Sequence, residues 1–94
     1  MKPADAHLAR ELVARTKTAT LSTLMKRDDG SDHPFGSLVA TAVDARGFPI
    51  LLLSSLAEHT KNLGASPRAS LLFADHGSDD PLANPRVTLM GEVA

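Results

Sequence analysis

The chain has no cysteine, no tryptophan and no tyrosine, and it has three phenylalanines among its 94 residues. Without cysteine, a disulfide framework and thiolate metal sites are excluded, which fits a reducing compartment. Basic and acidic residues nearly balance, at 10 against 11, and no aromatic platform occurs, so nucleic acid is a poor candidate partner. The apolar runs are far shorter than the roughly 20 residues that span a bilayer, and the charged start is unlike a signal peptide. We therefore expect one domain over residues 1–94, in the cytoplasm, with no membrane partner.

Hydrophobic spacing divides the chain into two helices and five short strands. The opening segment, MKPADAHLARELVAR, repeats apolar residues every three or four positions, which predicts an amphipathic helix. Alternation predicts strands at TATLSTLM, FGSLVATAV, RASLLFAD and RVTLMGEVA. The run ILLLSS is apolar on both faces, so we predict a central strand that is buried on two sides. The fold class is therefore mainly β (α+β): an antiparallel barrel with an N-terminal helix and one helix between strands three and four.

The second helix carries a capping signal. Ser55, followed three residues later by Glu58, has the form of a capping box, which predicts that the helix begins at Leu56. Leu56 and Leu63 are seven residues apart, so we expect them to mark the buried stripe of the helix.

The entrance of this helix is polar and lies directly after a strand. Such an N terminus presents free amide groups and a partial positive charge, which together favour a phosphate. The hydroxyls of Ser54 and Ser55 and the ammonium group of Lys61 add to this pattern. At least one of His59 and Thr60 has to face inward or toward a neighbouring subunit. From the residues alone a second interpretation stays open, in which Ser55 only caps the helix, His59 packs or is exposed, and Lys61 is solvated.

Three stretches of the sequence together resemble a known superfamily: ATLSTL, HPFGSLVATAVDARGFPILLLSSLAEHTKNLGASPRASLLF and DPLANPRVTLMGEVA. They look like the N-terminal half of the pyridoxamine 5′-phosphate oxidase-like superfamily of FMN-binding split barrels, and are most similar to its haem-utilisation branch. The resemblance runs from about Thr18 to the end of the chain. It implies an FMN-binding split barrel that forms a homodimer, with the cofactor in a groove between the two barrels. It implies cofactor contacts at the following positions: Ser37, Ser54, Ser55, His59, Thr60, Lys61 and Asn62.

The implied function is that of a flavin-dependent oxidoreductase or a haem-utilisation protein, with FMN as cofactor and haem as a further ligand. The alternative is a non-catalytic module of the same fold that binds haem or another protein. The pyridoxamine phosphate oxidases have an Arg-Lys pair where this sequence has Glu58 and His59, which argues against a close vitamin B6 oxidase. Glu58 would also repel a phosphate unless it folds back as the helix cap.

No catalytic residue and no metal ligand set is predicted from the remaining residues. His7, His33 and His76 lack the paired spacing of a metal centre and are expected to be exposed. The last strand stops at Ala94 without a turn, which leaves an open sheet edge. We therefore expect that the 94 residues are the N-terminal portion of a longer family pattern, or that a second subunit covers this edge.

Overall fold

A computed structural model describes residues 3–94 as an antiparallel sheet of five strands with two α-helices. The elements are α1 (Pro3–Arg15), β1 (Thr18–Lys26), β2 (Asp32–Val43), β3 (Pro49–Leu52), α2 (Glu58–Ala65), β4 (Arg68–Ala74) and β5 (Arg86–Glu92), with a short 3₁₀ turn at Pro81–Ala83. The order in the sheet is β3-β2-β1-β4-β5. The predicted fold class is confirmed: a mainly β half-barrel with one helix before the strands and one between the third and the fourth.

The central strand of the sheet is β1. Its alternating residues Ala19, Leu21 and Thr23 are 3%, 0% and 2% exposed, as the two-residue period predicts. This buried side is called the inner face here. β1 pairs with β2 along nine residues, whereas it pairs with β4 only from Thr20 to Ser22. The ladder is therefore long on one side of β1 and short on the other.

The prediction that the apolar run after Phe48 forms a central strand is wrong. β3 lies at the edge of the sheet and pairs only with β2. Ile50 and Leu52 point away from the inner face and are 44% and 61% exposed. A run that is apolar on both faces indicates a strand whose two faces need cover, and this requirement does not fix its place in the sheet.

The inner face holds the hydrophobic core under α1. Leu12 and Val13 of α1 pack with Ala19 of β1 and Phe73 of β4, and all four are buried. The guanidinium of Arg15 donates to the carboxylate of Asp75 at 2.8 Å, which ties the end of α1 to the end of β4. This hydrogen bond is the main reason that the pKa of Asp75 lies below its ordinary value.

The two edge strands of the sheet approach each other. Phe48, Leu51 and Leu53 from around β3 and Leu89 and Val93 from around β5 line one open groove of about 670 Å³. Since β3 and β5 stand at opposite ends of the strand order, the sheet has to curl to bring them together. Within residues 3–94, no helix has the length and apolar character needed to cross a membrane.

Candidate functional site

The entrance of α2 differs from the predicted capping box. The helix begins at Glu58, its N-cap is Ala57, and no side chain caps it. A turn comes first, because the Leu56 amide donates to the hydroxyl of Ser54 and the Ala57 amide donates to the carbonyl of Ser54, both at 3.2 Å. This turn moves the helix start two residues along the chain, so Ser55 does not reach the N-cap position.

The predicted buried stripe of α2 is also displaced. Leu56 precedes the helix and is 84% exposed, while Leu63 is half-buried. The buried residue of α2 is polar: Asn62 is 5% exposed, and its Nδ2 donates to Oγ1 of Thr23 at 3.1 Å. Sequence reasoning placed Thr23 in a strand of alternating residues but missed this role. A hydroxyl residue among inward-facing Ala19 and Leu21 was the signal that a polar partner would be needed.

His59 lies one helical turn before Asn62 and is half-buried against the sheet. Its Nδ1 is 3.1 Å from the hydroxyl oxygen of Ser37 on β2. Its Nε2 has no solvent exposure and no hydrogen-bond partner among the described residues. The expectation that His59 or Thr60 faces inward is confirmed for His59. The structure thus brings together Ser37 and His59, which are 22 residues apart in the sequence.

The other predicted site residues lie at the outside of the entrance. The hydroxyl of Thr60 donates to the carbonyl oxygen of Ser54, so Thr60 secures the turn. Ser54, Ser55 and Lys61 are exposed, and so is Glu58. The seven positions therefore form two groups. Ser37, His59 and Asn62 lie where α2 packs on the inner face. The other four positions surround the exposed start of the helix.

The charges at the helix start are mixed. Glu58 is the first residue of α2 and is not engaged as a cap, so its carboxylate adds a negative charge where the helix dipole is positive. Lys61 follows three residues later with a positive charge. In the first turn, the amides of Thr60 and Lys61 donate to the carbonyl oxygen of Ala57, so the amides of Glu58 and His59 are the ones left to an anion. The arrangement offers amide donors and one ammonium group to an anion, and a carboxylate that opposes it.

The other three histidines are exposed, as predicted. His7 lies 3.0 Å from the carboxylate of Glu11 on the same helix face, and Nε2 of His33 lies 3.0 Å from the hydroxyl of Ser31 in the turn between β1 and β2. Among residues 3–94, no group of three or more histidine, cysteine or acidic side chains is arranged to hold a metal ion.

A curled antiparallel sheet with a helix inserted between its third and fourth strands is the architecture of a split barrel. The chain belongs to the CREG β-barrel family: the family model described as "CREG, beta-barrel" matches residues 2–94. The resemblance to the split-barrel superfamily of the pyridoxamine 5′-phosphate oxidases is thereby confirmed.

Individual relatives carry names that concern haem. The chain is 47% identical over 72 residues to "Non-canonical heme oxygenase HOZ, chloroplastic" of Arabidopsis thaliana, which covers 77% of this chain and 21% of that protein. It is 39% identical to a heme binding protein from Mycobacterium smegmatis, with a TM-score of 0.81, over 98% of this chain and 36% of that one. It is 27% identical to the protein Atu2129, of unknown function, from Agrobacterium tumefaciens, with a TM-score of 0.84, over 97% of this chain and 38% of that one. The chain thus spans about a fifth of the curated relative's length.

We predict that replacing Thr23 with valine destabilises the protein through Asn62. Valine keeps the shape of the side chain but removes the hydroxyl, so the buried amide of Asn62 loses its partner at a cost of roughly 1–3 kcal/mol. Thr20→Val is the matched control, because Thr20 is exposed on the opposite face of the same strand and its replacement should change stability by less than about 0.5 kcal/mol. Urea unfolding of the two variants measures the difference. Equal stability would show that the bond does not hold α2 in place.

Proposed function

We propose that the chain forms part of a haem-binding split-barrel protein, with His59 as the residue that meets the iron. The single observation that carries the proposal is the imidazole of His59, in which Nδ1 is engaged by Ser37 and Nε2 has no partner. An iron-ligating histidine usually has one ring nitrogen fixed by an outer partner and the other free to bind the metal. The haem-related names of two relatives that are 47% and 39% identical support the same ligand.

The surroundings of His59 fit this role with one condition. His59 would hold the haem iron through Nε2, and Ser37 would hold the imidazole through Nδ1. The irregular segment from Leu53 to Ala57 leads into the helix beside them. Because Nε2 is shielded from solvent, this segment or the imidazole ring has to shift before a ligand reaches the nitrogen. Bound haem would supply an iron centre that exchanges electrons and binds small gaseous ligands. Redox or haem-degrading turnover is the wider prediction from the resemblance, and binding is its first requirement.

FMN is the second candidate ligand, and the exposed start of α2 is the observation that favours it. Lys61, Ser55 and the first amide groups of the helix would hold the phosphate. The carboxylate of Glu58 opposes this site because it stands at the first helical position without serving as a cap. The negative charge of Glu58 therefore weakens the case for FMN relative to haem. If FMN binds, its flavin ring would supply the electron chemistry.

We propose that the protein forms a homodimer. The resemblance implies that the cofactor groove lies at its interface, whereas the exposed apolar residues favour a contact on the face of the sheet opposite the inner face. This outer face carries Leu38, Ile50, Leu52 and Leu72, which are 74%, 44%, 61% and 40% exposed. Strand pairing places Leu52 beside Ala40, and Leu38 and Leu72 on either side of Thr20. Together they form one contiguous apolar surface. A surface of this kind is typical of a protein contact, and the resemblance implies a second copy of this chain.

Haem binding should depend on His59. We expect that titration of the purified protein with haem gives a saturable Soret band, and that His59→Ala lowers the affinity roughly tenfold or more. His33→Ala is the matched control, because His33 also lies beside a serine hydroxyl but is exposed near the start of β2, and this variant should bind as the wild type does. A wild-type protein that is folded and does not bind haem would refute the proposal, and equal binding by all three proteins would place the haem elsewhere.

A phosphate site at the start of α2 should distinguish FMN from riboflavin, which has the same ring and no phosphate. We expect Lys61→Ala to weaken FMN more than riboflavin, since only FMN meets the ammonium group. Glu58→Gln should do the opposite and strengthen FMN selectively, because it removes the opposing charge. Fluorescence titration with both flavins measures the ratio of the two affinities. Changes of equal size for both ligands, or no flavin bound at micromolar concentration, would exclude the phosphate site.

The dimer should be sensitive to charge on the outer face. We expect the wild type to sediment as a dimer and Leu38→Asp to shift it toward the monomer, because an aspartate would be desolvated at the contact. Leu82→Asp is the control: Leu82 is 78% exposed, on the 3₁₀ turn, and its replacement should leave the dimer intact. A wild type that is monodisperse as a monomer would contradict the assembly, and a dimer that survives Leu38→Asp would place the contact on another surface.

A further inference from the structure

The hydroxyl of Ser37 decides which ring nitrogen of His59 carries the proton. A neutral imidazole has one N–H and one lone pair, and a serine hydroxyl has one proton to donate. The hydroxyl oxygen of Ser37 lies 3.1 Å from Nδ1 of His59 and 3.5 Å from the carbonyl oxygen of Leu21. The carbonyl accepts only, so the two contacts allow two arrangements of protons.

In the first arrangement, Nδ1–H of His59 donates to Ser37, and the hydroxyl of Ser37 donates to the carbonyl of Leu21. Both contacts are then hydrogen bonds, and Nε2 is left as a buried lone pair. In the second arrangement, the hydroxyl donates to Nδ1, the contact with Leu21 is lost, and a buried N–H at Nε2 has no acceptor. Orphaned buried N–H groups are rarer in proteins than acceptors that are not fully satisfied. The first arrangement makes both hydrogen bonds and leaves only a lone pair at Nε2 without a partner, which costs less than an unpaired N–H. It is therefore the favoured arrangement.

We propose that Ser37 is a positioning residue that holds His59 in the Nδ1–H tautomer, so that Nε2 presents a lone pair to its ligand. A lone pair binds a metal ion such as haem iron or accepts a hydrogen bond from a donor, and it repels the oxygens of a phosphate. His59 therefore selects against the anionic group of FMN and leaves any phosphate contact to Lys61 and the backbone. The assignment of the tautomer does not depend on the proposed haem function. Only the identification of haem as the ligand of Nε2 rests on that function.

Nuclear magnetic resonance of the ligand-free protein tests the tautomer directly. Long-range correlation of ring protons and ¹⁵N nuclei, at about pH 8 where imidazoles are neutral, distinguishes a nitrogen with a proton from one with a lone pair. We expect His59 to show a protonated Nδ1 and a lone pair at Nε2. The exposed His7 and His76 are not held by Ser37 and serve as reference signals in the same spectrum. A protonated Nε2 in His59 would overturn the proposal.

Variants of Ser37 test its role as the cause. Ser37→Ala removes the acceptor, so the Nδ1–H signature of His59 should be lost, whereas Ser37→Thr keeps a hydroxyl on a strand position that suits a β-branched residue and should restore it. An unchanged tautomer in folded Ser37→Ala would overturn the assignment. If the alanine variant does not fold, the wild-type and threonine spectra still decide, because both have to show the same Nδ1–H form.

Haem titration of the same proteins separates the two proposals. If both hold, Ser37→Ala should weaken haem roughly tenfold to a hundredfold, as loss of an outer partner of a metal-binding histidine does, and Ser37→Thr should recover most of the affinity. A confirmed Nδ1–H tautomer in a protein that does not bind haem would refute the haem function and leave this inference standing. Haem bound by a protein whose His59 is protonated at Nε2 would refute this inference and leave the function standing.

Discussion

The hydrogen bond between Asn62 and Thr23 is the interaction on which the site depends. It joins the only buried residue of α2 to the central strand, and the hydroxyl that accepts from Asn62 itself donates to the carbonyl oxygen of Phe35 on β2 at 3.5 Å. α2 is eight residues long and has no side-chain cap, so its own hydrogen bonds give it little stability in isolation. The polar pair also fixes the rotation of the helix. One turn earlier, that rotation brings His59 to Ser37.

The start of α2 and the pair of Ser37 and His59, called the inner pair, differ in how they can select a ligand. The start of α2 acts through charge: amide dipoles and Lys61 attract an anion, and Glu58 repels it. The inner pair acts through geometry and the placement of one proton, since neither Ser37 nor the neutral imidazole of His59 carries a net charge. Salt screens the first kind of selection in solvent, whereas the second is shielded from it. A ligand that contacts both regions would be held by two independent kinds of recognition.

Local patterns predicted most of the strands, and tertiary context decided what they left open. The alternation of Ala19, Leu21 and Thr23 fixed the inward side of β1, because a period of two has only two phases. The same reasoning gave the wrong position for β3, because Ile50 and Leu52 show that a face is apolar but not what covers it.

The prediction of where α2 begins was wrong for a different reason. Ser55 and Glu58 have the spacing of a capping box, but a turn at Ser54 takes up the residues that the box requires. Of the site, it could be predicted that at least one of His59 and Thr60 faces inward or toward a neighbouring subunit, and Ser37 entered through the family resemblance. The bond from Asn62 to Thr23 joins residues 39 apart in sequence, a distance at which no local pattern operates.

The short ladder between β1 and β4 divides the strand pairing of the sheet into two groups. β3, β2 and β1 are joined through four and nine residue pairs, and β4 and β5 through seven, whereas three pairs connect the two groups. Opening that breaks the fewest ladder pairs separates these two groups, so their amide hydrogens should exchange with deuterium as separate blocks wherever side-chain packing does not hold them together. α1 contacts β2 in the first group and β4 and β5 in the second, which makes it the brace across this boundary, whereas α2 packs on β1. A ligand that stiffens α2 would therefore slow exchange mainly in the block that contains β1, on which α2 packs.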